Sequence, residues 1–231
     1  MSIEALASAL FWLVATLAAY YATRHLYRRT RTWWASPLLL APILLLALAL
    51  CLHVDYPTYF AGPRWLVTML GPATVAFALP IYRQRDLIAR HWKTLAIGML
   101  TGSTVSIVAS LLMAHWLALP QNLAHSLVPR SVTTPFAMDI ASRIGGVPEL
   151  AAVFVIVTGV FGATVGPMLF RVLRLRSAMA RGALLGMAAH GTGVAKAREI
   201  GDEEAAIASL TMVLAGVSNV LVAPWIIRAI A

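Results

Sequence analysis

A polar segment in the second half of the chain, Val128-Pro-Arg-Ser-Val-Thr-Thr-Pro135, combines a cation, three hydroxyls and two prolines. Pro135 cannot continue a helix that begins before it but suits the first turn of a new one, which predicts Thr134 at the N-cap. The helix predicted over residues 136–144 would present free N–H groups and partial positive charge inside the protein. Arg130 adds a planar guanidinium that can bind a carboxylate through two bonds. The predicted substrate-binding residues of this segment are Arg130, Ser131, Thr133, Thr134 and Pro135.

A second polar segment, His190-Gly-Thr-Gly193, contains glycines that permit close backbone approach and sharp changes of direction. Thr192 is predicted to cap a short helix over residues 194–200, and His190 could relay a proton or donate to an anion. The predicted binding residues here are His190, Gly191, Thr192 and Gly193. The structural alternative is an interfacial loop whose arginine extends to the headgroups, and a histidine that serves only as a hydrogen-bonded packing residue.

A few other polar residues lie close to these segments in the sequence. Asp139 falls one turn into the first short helix, and we predict that Asp139 or His190 carries a coupled proton. Lys196 and Asn219 are secondary site candidates, although Asp139 and Lys196 could also pair between the segments or face headgroup water. The chain has no phosphate-binding loop, His-Glu-x-x-His motif or paired-cysteine metal motif. We therefore expect no enzyme activity, no catalytic residue, no metal and no cofactor.

The composition is that of a membrane protein. Of 231 residues, 60% are apolar and only 12% are charged, and the mean hydropathy is +0.81. Soluble domains are about one-quarter charged. The net charge of +9 comes from basic residues in short loops between apolar runs, which favours a role in membrane orientation over nucleic-acid binding. We expect membrane lipid as a partner and no nucleic acid.

Charge-free runs predict the membrane-spanning helices, since about 20 helical residues cross the hydrocarbon. The runs are residues 5–23, 32–54, 65–82, 94–129, 150–170 and 205–227, and the helix within the fourth is predicted over 94–119.

Basic residues predict the orientation of these spans. Clusters at residues 24–31, 83–93 and 171–181 mark cytoplasmic loops, so the N-terminus is predicted to be periplasmic. Residues 121–148 and 176–204 must then each enter and leave on one side, which predicts two re-entrant hairpins. If both segments crossed fully, residues 171–181 would lie outside, against the distribution of arginines.

A faint internal repeat at an offset of 56 aligns Ala141-Ser-Arg-Ile-Gly145 with Ala197-Arg-Glu-Ile-Gly201, although short apolar stretches also align by chance. Each unit is one hairpin and one crossing, so the two units face opposite ways, as in many secondary transporters. The predicted fold is an all-α polytopic membrane protein with about six transmembrane helices and two opposed hairpins. The predicted domains are a scaffold of four transmembrane helices and a substrate-binding core of two repeats: 1–119, and 120–175 with 176–231.

Four stretches together resemble the LrgB/CidB (YohK-like) family: Ser131-Val-Thr-Thr-Pro135, Ile144-Gly-Gly146, Thr158-Gly159 and Ala189-His-Gly-Thr-Gly-Val-Ala-Lys196. The match is dense from residue 129 to 216 and rests on hydropathy before that. Two departures are the arginine at position 130, where the family often has lysine, and the lack of room for the holin-like partner that plant relatives carry fused at the N-terminus.

The resemblance implies two functions of different classes. Plastid relatives are glycolate/glycerate translocators and some bacterial members are tied to pyruvate uptake, whereas the older naming describes antiholin-like modulators of murein hydrolase activity and lysis. The second function implies a separate holin-like subunit of the LrgA/CidA type. Two polar, helix-capped breaks suit a small monocarboxylate better than a scaffold role. We therefore expect a transporter, homodimeric through its first spans, in the bacterial inner membrane.

Overall fold

The structure, a computed structural model, describes residues 3–30, 32, 35–76 and 78–230. Every regular element in these residues is helical, and the chain is an all-α multi-pass membrane protein, as its sequence predicts. The α-helices, in chain order, are α1 Ile3–Thr30, α2 Pro37–Cys51, α3 Tyr56–Ala61, α4 Arg64–Thr68, α5 Leu70–Ala76, α6 Ala78–Arg83, α7 Arg85–Trp116, α8 Gln121–Leu127, α9 Thr134–Arg143, α10 Pro148–Val172, α11 Ala178–Ile200 and α12 Asp202–Ile230.

Four helices in the described part are long and apolar enough to cross a membrane: α1, α7, α10 and α12. The large apolar side chains on their outer faces are exposed, as lipid-facing residues must be; Val157 and Phe161 on α10 are examples. The predicted runs 150–170 and 205–227 fall within α10 and α12. α7 is longer than predicted because helical residues precede a kink at His91, where φ is −120°.

Two predicted spans differ from the structure. The run 32–54 contains α2, which is 15 residues long because Pro37 lies in its first turn and His53 has a positive φ of 52°. The run 65–82 contains α4, α5 and α6. Gly71-Pro72 lies in the first turn of α5 and interrupts propagation from α4, because proline has no N–H to donate to the preceding helix. Arg31 of the first basic cluster and Phe77 of the third run lie outside the described residues.

The chain packs as two compact units, Met1–Ala73 and Thr74–Ala231. In the first, Trp12 of α1 is buried and lies edge-on to Tyr59 of α3, and α2 packs along α1. The second contains α7 together with every predicted site residue. The predicted division at residue 119 concerns which part moves during transport, so it stays a prediction.

The first polar segment lies within a hairpin. α8 leads into a 3-10 turn, Val128–Ser131, and α9 then returns the chain. The return is visible at the open end, where the Val147 amide donates to Ser126 Oγ at 2.7 Å and a Cβ on Gly146 would come within 2.9 Å of the Ser126 amide nitrogen. Ser126 thus meets Gly146 and Val147, about 20 residues later in the sequence, and the chain between them forms the hairpin. We call residues 128–136 the first tip.

The second polar segment also lies at a reversal. α11 is helical throughout except at His190, where φ is 47° and ψ is −126°. In a straight helix Leu185 and Gly193 would be roughly 12 Å apart. Here the Leu185 carbonyl lies so close to Gly193 that no side chain would fit between them. Residues 191–200 therefore fold back along residues 178–189, and we call residues 189–193 the second tip.

Candidate functional site

Arg130, in the 3-10 turn of the first tip, is partly buried and held by one hydrogen bond. Its Nε donates to Ser110 Oγ of α7 at 2.9 Å, and Ser110 in turn donates to the Ser106 carbonyl at 2.8 Å. Ser110 is fully buried, so the bond fixes the guanidinium against a rigid helix. Among the described residues no carboxylate lies within ion-pairing distance of Arg130. An arginine that is partly buried and has no carboxylate partner among the described residues can bind an anion.

His190, at the second tip, is 3% exposed, and its Nε2 is buried without a hydrogen-bond partner. The ring lies near the main chain of Ser131, and Arg130 is close enough to act on it electrostatically. The two tips therefore meet. A positive φ at a non-glycine residue costs about 1–3 kcal/mol, and such strain is concentrated at binding sites.

Thr192 satisfies the main chain at the break. Its Oγ1 donates to the carbonyl of Ala189, three residues earlier. The predicted cap over residues 194–200 is therefore wrong in detail: the helix resumes at Gly191, and Thr192 lies in its first turn. The N–H groups of that first turn have no helical acceptors and are available to a ligand.

The first tip differs from the prediction by one or two residues. α9 starts at Thr134, with Pro135 in the first turn as predicted, so Thr133 and not Thr134 occupies the N-cap. The first four N–H groups of an α-helix have no acceptor within the helix, so a proline in the first turn loses no hydrogen bond. The helix can therefore start one residue earlier than predicted. Thr133 makes no side-chain capping bond, so its hydroxyl is not used as an N-cap acceptor.

Two glycines of the spanning helices receive the tips. A Cβ on Gly159 of α10 would lie 2.8 Å from Thr192 Oγ1 and 3.6 Å from His190 Nδ1. A Cβ on Gly216 of α12 would overlap the ring of Phe136, the third residue of α9. Each hairpin tip therefore packs into a notch on a long helix where no side chain fits.

The secondary candidates have local partners. Asp139 pairs with Arg143 at 2.8 Å, and Lys196 pairs with Glu199 at 2.7 Å, both on the residue's own helix and partly exposed. Asn219 is buried, and its Nδ2 donates to Ser103 Oγ of α7 at 2.7 Å. The geometry gives Arg130 and His190 the central place, and the roles proposed for these three residues stay predictions.

Sequence reasoning missed Ser110 as a site residue and did not assign Gly159 to the site. A serine within a charge-free run was the available signal for Ser110, and the repeat, which places glycines at 159 and 216, was the signal for Gly159. Within the described residues no group of three His, Cys, Asp or Glu side chains could hold a metal ion. The arrangement offers donors to an anion: a guanidinium, hydroxyls, main-chain N–H groups at the second tip and, when it is protonated, an imidazole.

The chain is similar to several known proteins. A family model described as the LrgB-like family matches residues 16–229. Two similar proteins of Bacillus subtilis (strain 168), YwbG and YxaC, both named there as uncharacterized, are 40% and 35% identical over 93% and 95% of this chain, and over 96% and 95% of their own lengths. A third, named antiholin-like protein LrgB, is 32% identical over 98% of this chain and 99% of its own length. No solved structure matches the chain.

Proposed function

The chain belongs to the LrgB-like family, and on that premise we propose that it is a secondary transporter of small monocarboxylates such as glycolate, glycerate or pyruvate. The observation that carries the proposal is the meeting of Arg130 and His190. His190 Nε2 has no hydrogen-bond partner and Arg130 has no carboxylate partner among the described residues, and Arg130 is close enough to His190 to act on it electrostatically. In our proposal a carboxylate pairs with Arg130, and the neighbouring oxygen of the substrate lies beside His190.

The size and chemistry of the site favour a 2-hydroxy or 2-oxo acid. One carboxylate can take two bonds from the guanidinium of Arg130, whose Nε is already occupied by Ser110. The adjacent oxygen of the substrate then lies at the second tip: a hydroxyl can donate to Nε2 of the neutral His190 ring, and a keto oxygen can accept from the main-chain N–H groups at Gly191 and Thr192. A longer apolar acid would meet Val132 and Ala189, which are already buried against their neighbours.

The two hairpins and their spanning helices support an inverted repeat. Phe136 and Thr192 are separated by 56 residues, the offset of the sequence repeat, and each lies against a glycine of a long helix, Gly216 and Gly159. The equivalent contact thus occurs in each half. In our proposal the substrate lies between the tips near the bilayer midplane, and the hairpin core moves against the earlier helices so that the site opens to one side at a time.

Uptake by proteoliposomes tests the function directly. Purified protein reconstituted alone should take up labelled glycolate, glycerate or pyruvate with saturation, and an excess of the unlabelled acid should compete. An uncharged analogue, such as the amide of glycolate, serves as the control because it lacks the anion that Arg130 would bind. Absence of saturable uptake of all three acids, with or without a holin-like subunit, would reject the transporter.

A second function is favoured by the name of one relative, antiholin-like protein LrgB, which matches this chain almost end to end. In that alternative the chain modulates murein hydrolase activity together with a holin-like subunit of the LrgA/CidA type. It predicts changed autolysis on deletion of the gene, and an autolysis phenotype that survives substitution of Arg130. A phenotype that disappears with Arg130→Gln would instead follow from lost transport.

We further propose that the protein lies in the bacterial inner membrane with its N-terminus in the periplasm. The basic clusters at 83–93 and 171–181 support this, since both adjoin the ends of spanning helices.

A further inference from the structure

A second polar region lies apart from the hairpin tips, where α6, the end of α11 and the start of α12 meet. It is a cavity of about 300 Å³. The lining used here comprises Leu79, Arg83, Arg198, Asp202, Ala206 and Ser209.

The cationic side chains of this cavity are not neutralised by neighbours. Neither Arg83 nor Arg198 has a carboxylate within ion-pairing distance among the described residues. Nearby cations do have such partners: Arg181 lies 3.9 Å from Glu204, and Lys196 pairs with Glu199. Two arginines that line one cavity and pair with nothing leave it open to an anion.

The sequence places the cavity at the boundary between hydrocarbon and water. Arg83 is the first charged residue after the apolar run 65–82, and Asp202 begins the helix whose apolar run starts at residue 205. Leu79 and Ala206 line the apolar side, and Leu79 is half-exposed. Phosphate groups of phospholipids lie at this depth, and basic pockets between transmembrane helices bind them.

We propose that this cavity binds a phosphate-bearing anion, specifically the headgroup of an anionic phospholipid. Two arginines and Asp202 give the lining a net charge of +1, which matches a phosphodiester better than inorganic phosphate, whose charge at neutral pH is between −1 and −2. Asp202 and Ser209 can bond the hydroxyls of a glycerol headgroup, and an acyl chain continues along Leu79. The lipid bridges α6 to the end of the second hairpin.

Native mass spectrometry of the purified full-length protein tests the site, with dioctanoyl phosphatidylglycerol added to detergent micelles. The double variant Arg83→Gln/Arg198→Gln removes both cations. The matched control, Arg90→Gln/Arg171→Gln, removes two exposed arginines outside the cavity and has the same net charge. We expect the apparent Kd for the lipid to rise at least about tenfold in the first variant, because two charge-assisted bonds are lost, and to stay within about twofold in the control.

Two further arms identify the source of the phosphate. Dioctanoyl phosphatidylcholine should bind at least about tenfold more weakly than phosphatidylglycerol, because its headgroup is zwitterionic and has no hydroxyls. The second arm adds inorganic phosphate to the lipid-bound protein. If phosphate displaces phosphatidylglycerol when phosphate is the less concentrated of the two, the anion site stands but its ligand is free phosphate and not the lipid.

Asp202→Asn is a variant for which the proposal predicts tighter binding of an anion. A misfolded protein would not give that result. The substitution raises the lining charge to +2 and should favour inorganic phosphate over the lipid relative to wild type. Equal lipid affinity of wild type and the Arg83/Arg198 variant, or equal binding of both lipids to wild type, would overturn the proposal. None of these measurements uses carboxylate uptake, so the lipid site and the transport function are tested independently.

Discussion

At the scale of single residues, Arg130 has the most demanding environment, because its charge is partly buried and its one assigned bond goes to a neutral serine. Burying a cation without an anionic partner costs free energy. Binding of an anion recovers part of that free energy, which favours the bound state. The structure fixes Nε with Ser110 and leaves the other two nitrogens for a ligand. Arginine suits this arrangement better than lysine, since a lysine ammonium cannot bind Ser110 and a two-oxygen ligand in one plane.

Arg130→Gln should reduce kcat/KM for uptake by about 30-fold or more, because truncating one partner of a buried charge pair costs about 2–5 kcal/mol. Arg130→Lys keeps the charge and should retain part of the activity. Initial rates of labelled glycolate uptake into proteoliposomes, normalised to inserted protein, measure both variants. The control is Arg143→Gln, which removes an exposed arginine of the next helix that pairs with Asp139. Uptake by Arg130→Gln at the control's rate would remove Arg130 from the site.

His190 allows a test of backbone strain that is independent of transport. Both His190→Gly and His190→Ala remove the imidazole, but only alanine must keep the positive φ of 47°. The glycine variant should therefore be more stable by about 1 kcal/mol, although alanine is the more stable of the two by a similar amount inside an ordinary helix. Unfolding in mixed micelles, followed by circular dichroism, gives the difference. Alanine proving the more stable would mean that the chain at residue 190 is helical.

Gly159 tests the contact between α10 and the second tip. A Cβ there would come within 2.8 Å of Thr192 Oγ1 and displace the tip, so Gly159→Ala should lower the free energy of unfolding by about 1–3 kcal/mol and reduce uptake. Thr192→Ala in the same chain removes the clashing atom and should restore part of the stability. The control is Gly98→Ala in α7, where nothing lies within 4 Å and alanine should be neutral or stabilising.

At the scale of helices, the sequence predicted breaks better than lengths. Proline and glycine act on their own neighbours, so Pro135 and the glycines around His190 mark the two tips within one or two residues. The division of the run 65–82 was missed because its hydropathy suggested one span although Gly71-Pro72 stands within it. Hydropathy reports the environment of a segment, whereas continuity of a helix depends on individual N–H groups.

Cysteine labelling tests both hairpins in a Cys51→Ser background. The open ends of the first hairpin meet at Ser126 and Val147, so cysteines at Leu123 and Val147 should react with an impermeant maleimide from the same side, predicted to be the periplasm. Cysteines at Arg174 and Gly201 should react only from the cytoplasm. Reaction of the first pair from opposite faces would refute the first hairpin, and reaction of the second pair from the periplasm would refute the orientation.

At the scale of the whole molecule, the site is assembled from residues that are far apart in the chain. Ser110, Arg130, Gly159 and His190 come from α7, both hairpin tips and α10. Local patterns identified the two tips, but the contact of Arg130 with Ser110 depends on how α7 packs, which no local pattern contains. The inverted repeat predicted from the sequence would supply part of that missing information, because the opposed hairpins of such a repeat approach each other.

Proton coupling is a property of the proposed transporter as a whole, and a pH gradient tests it. A carboxylate that enters with one proton carries no net charge, so an inside-alkaline gradient of one pH unit should accumulate glycolate about tenfold in proteoliposomes, whatever the membrane potential. Accumulation driven by potential alone would exclude electroneutral symport with one proton.

Variants of the two predicted proton carriers separate their roles. Asp139 is tied to Arg143 on a partly exposed face, so Asp139→Asn should keep the response to the pH gradient. His190 lies between the tips with an unbonded Nε2, and His190→Gln preserves a donor but cannot take up a proton. This variant should still exchange labelled for unlabelled glycolate while losing accumulation against the gradient. If Asp139→Asn loses accumulation and His190→Gln keeps it, the proton travels along α9 and the imidazole serves binding alone.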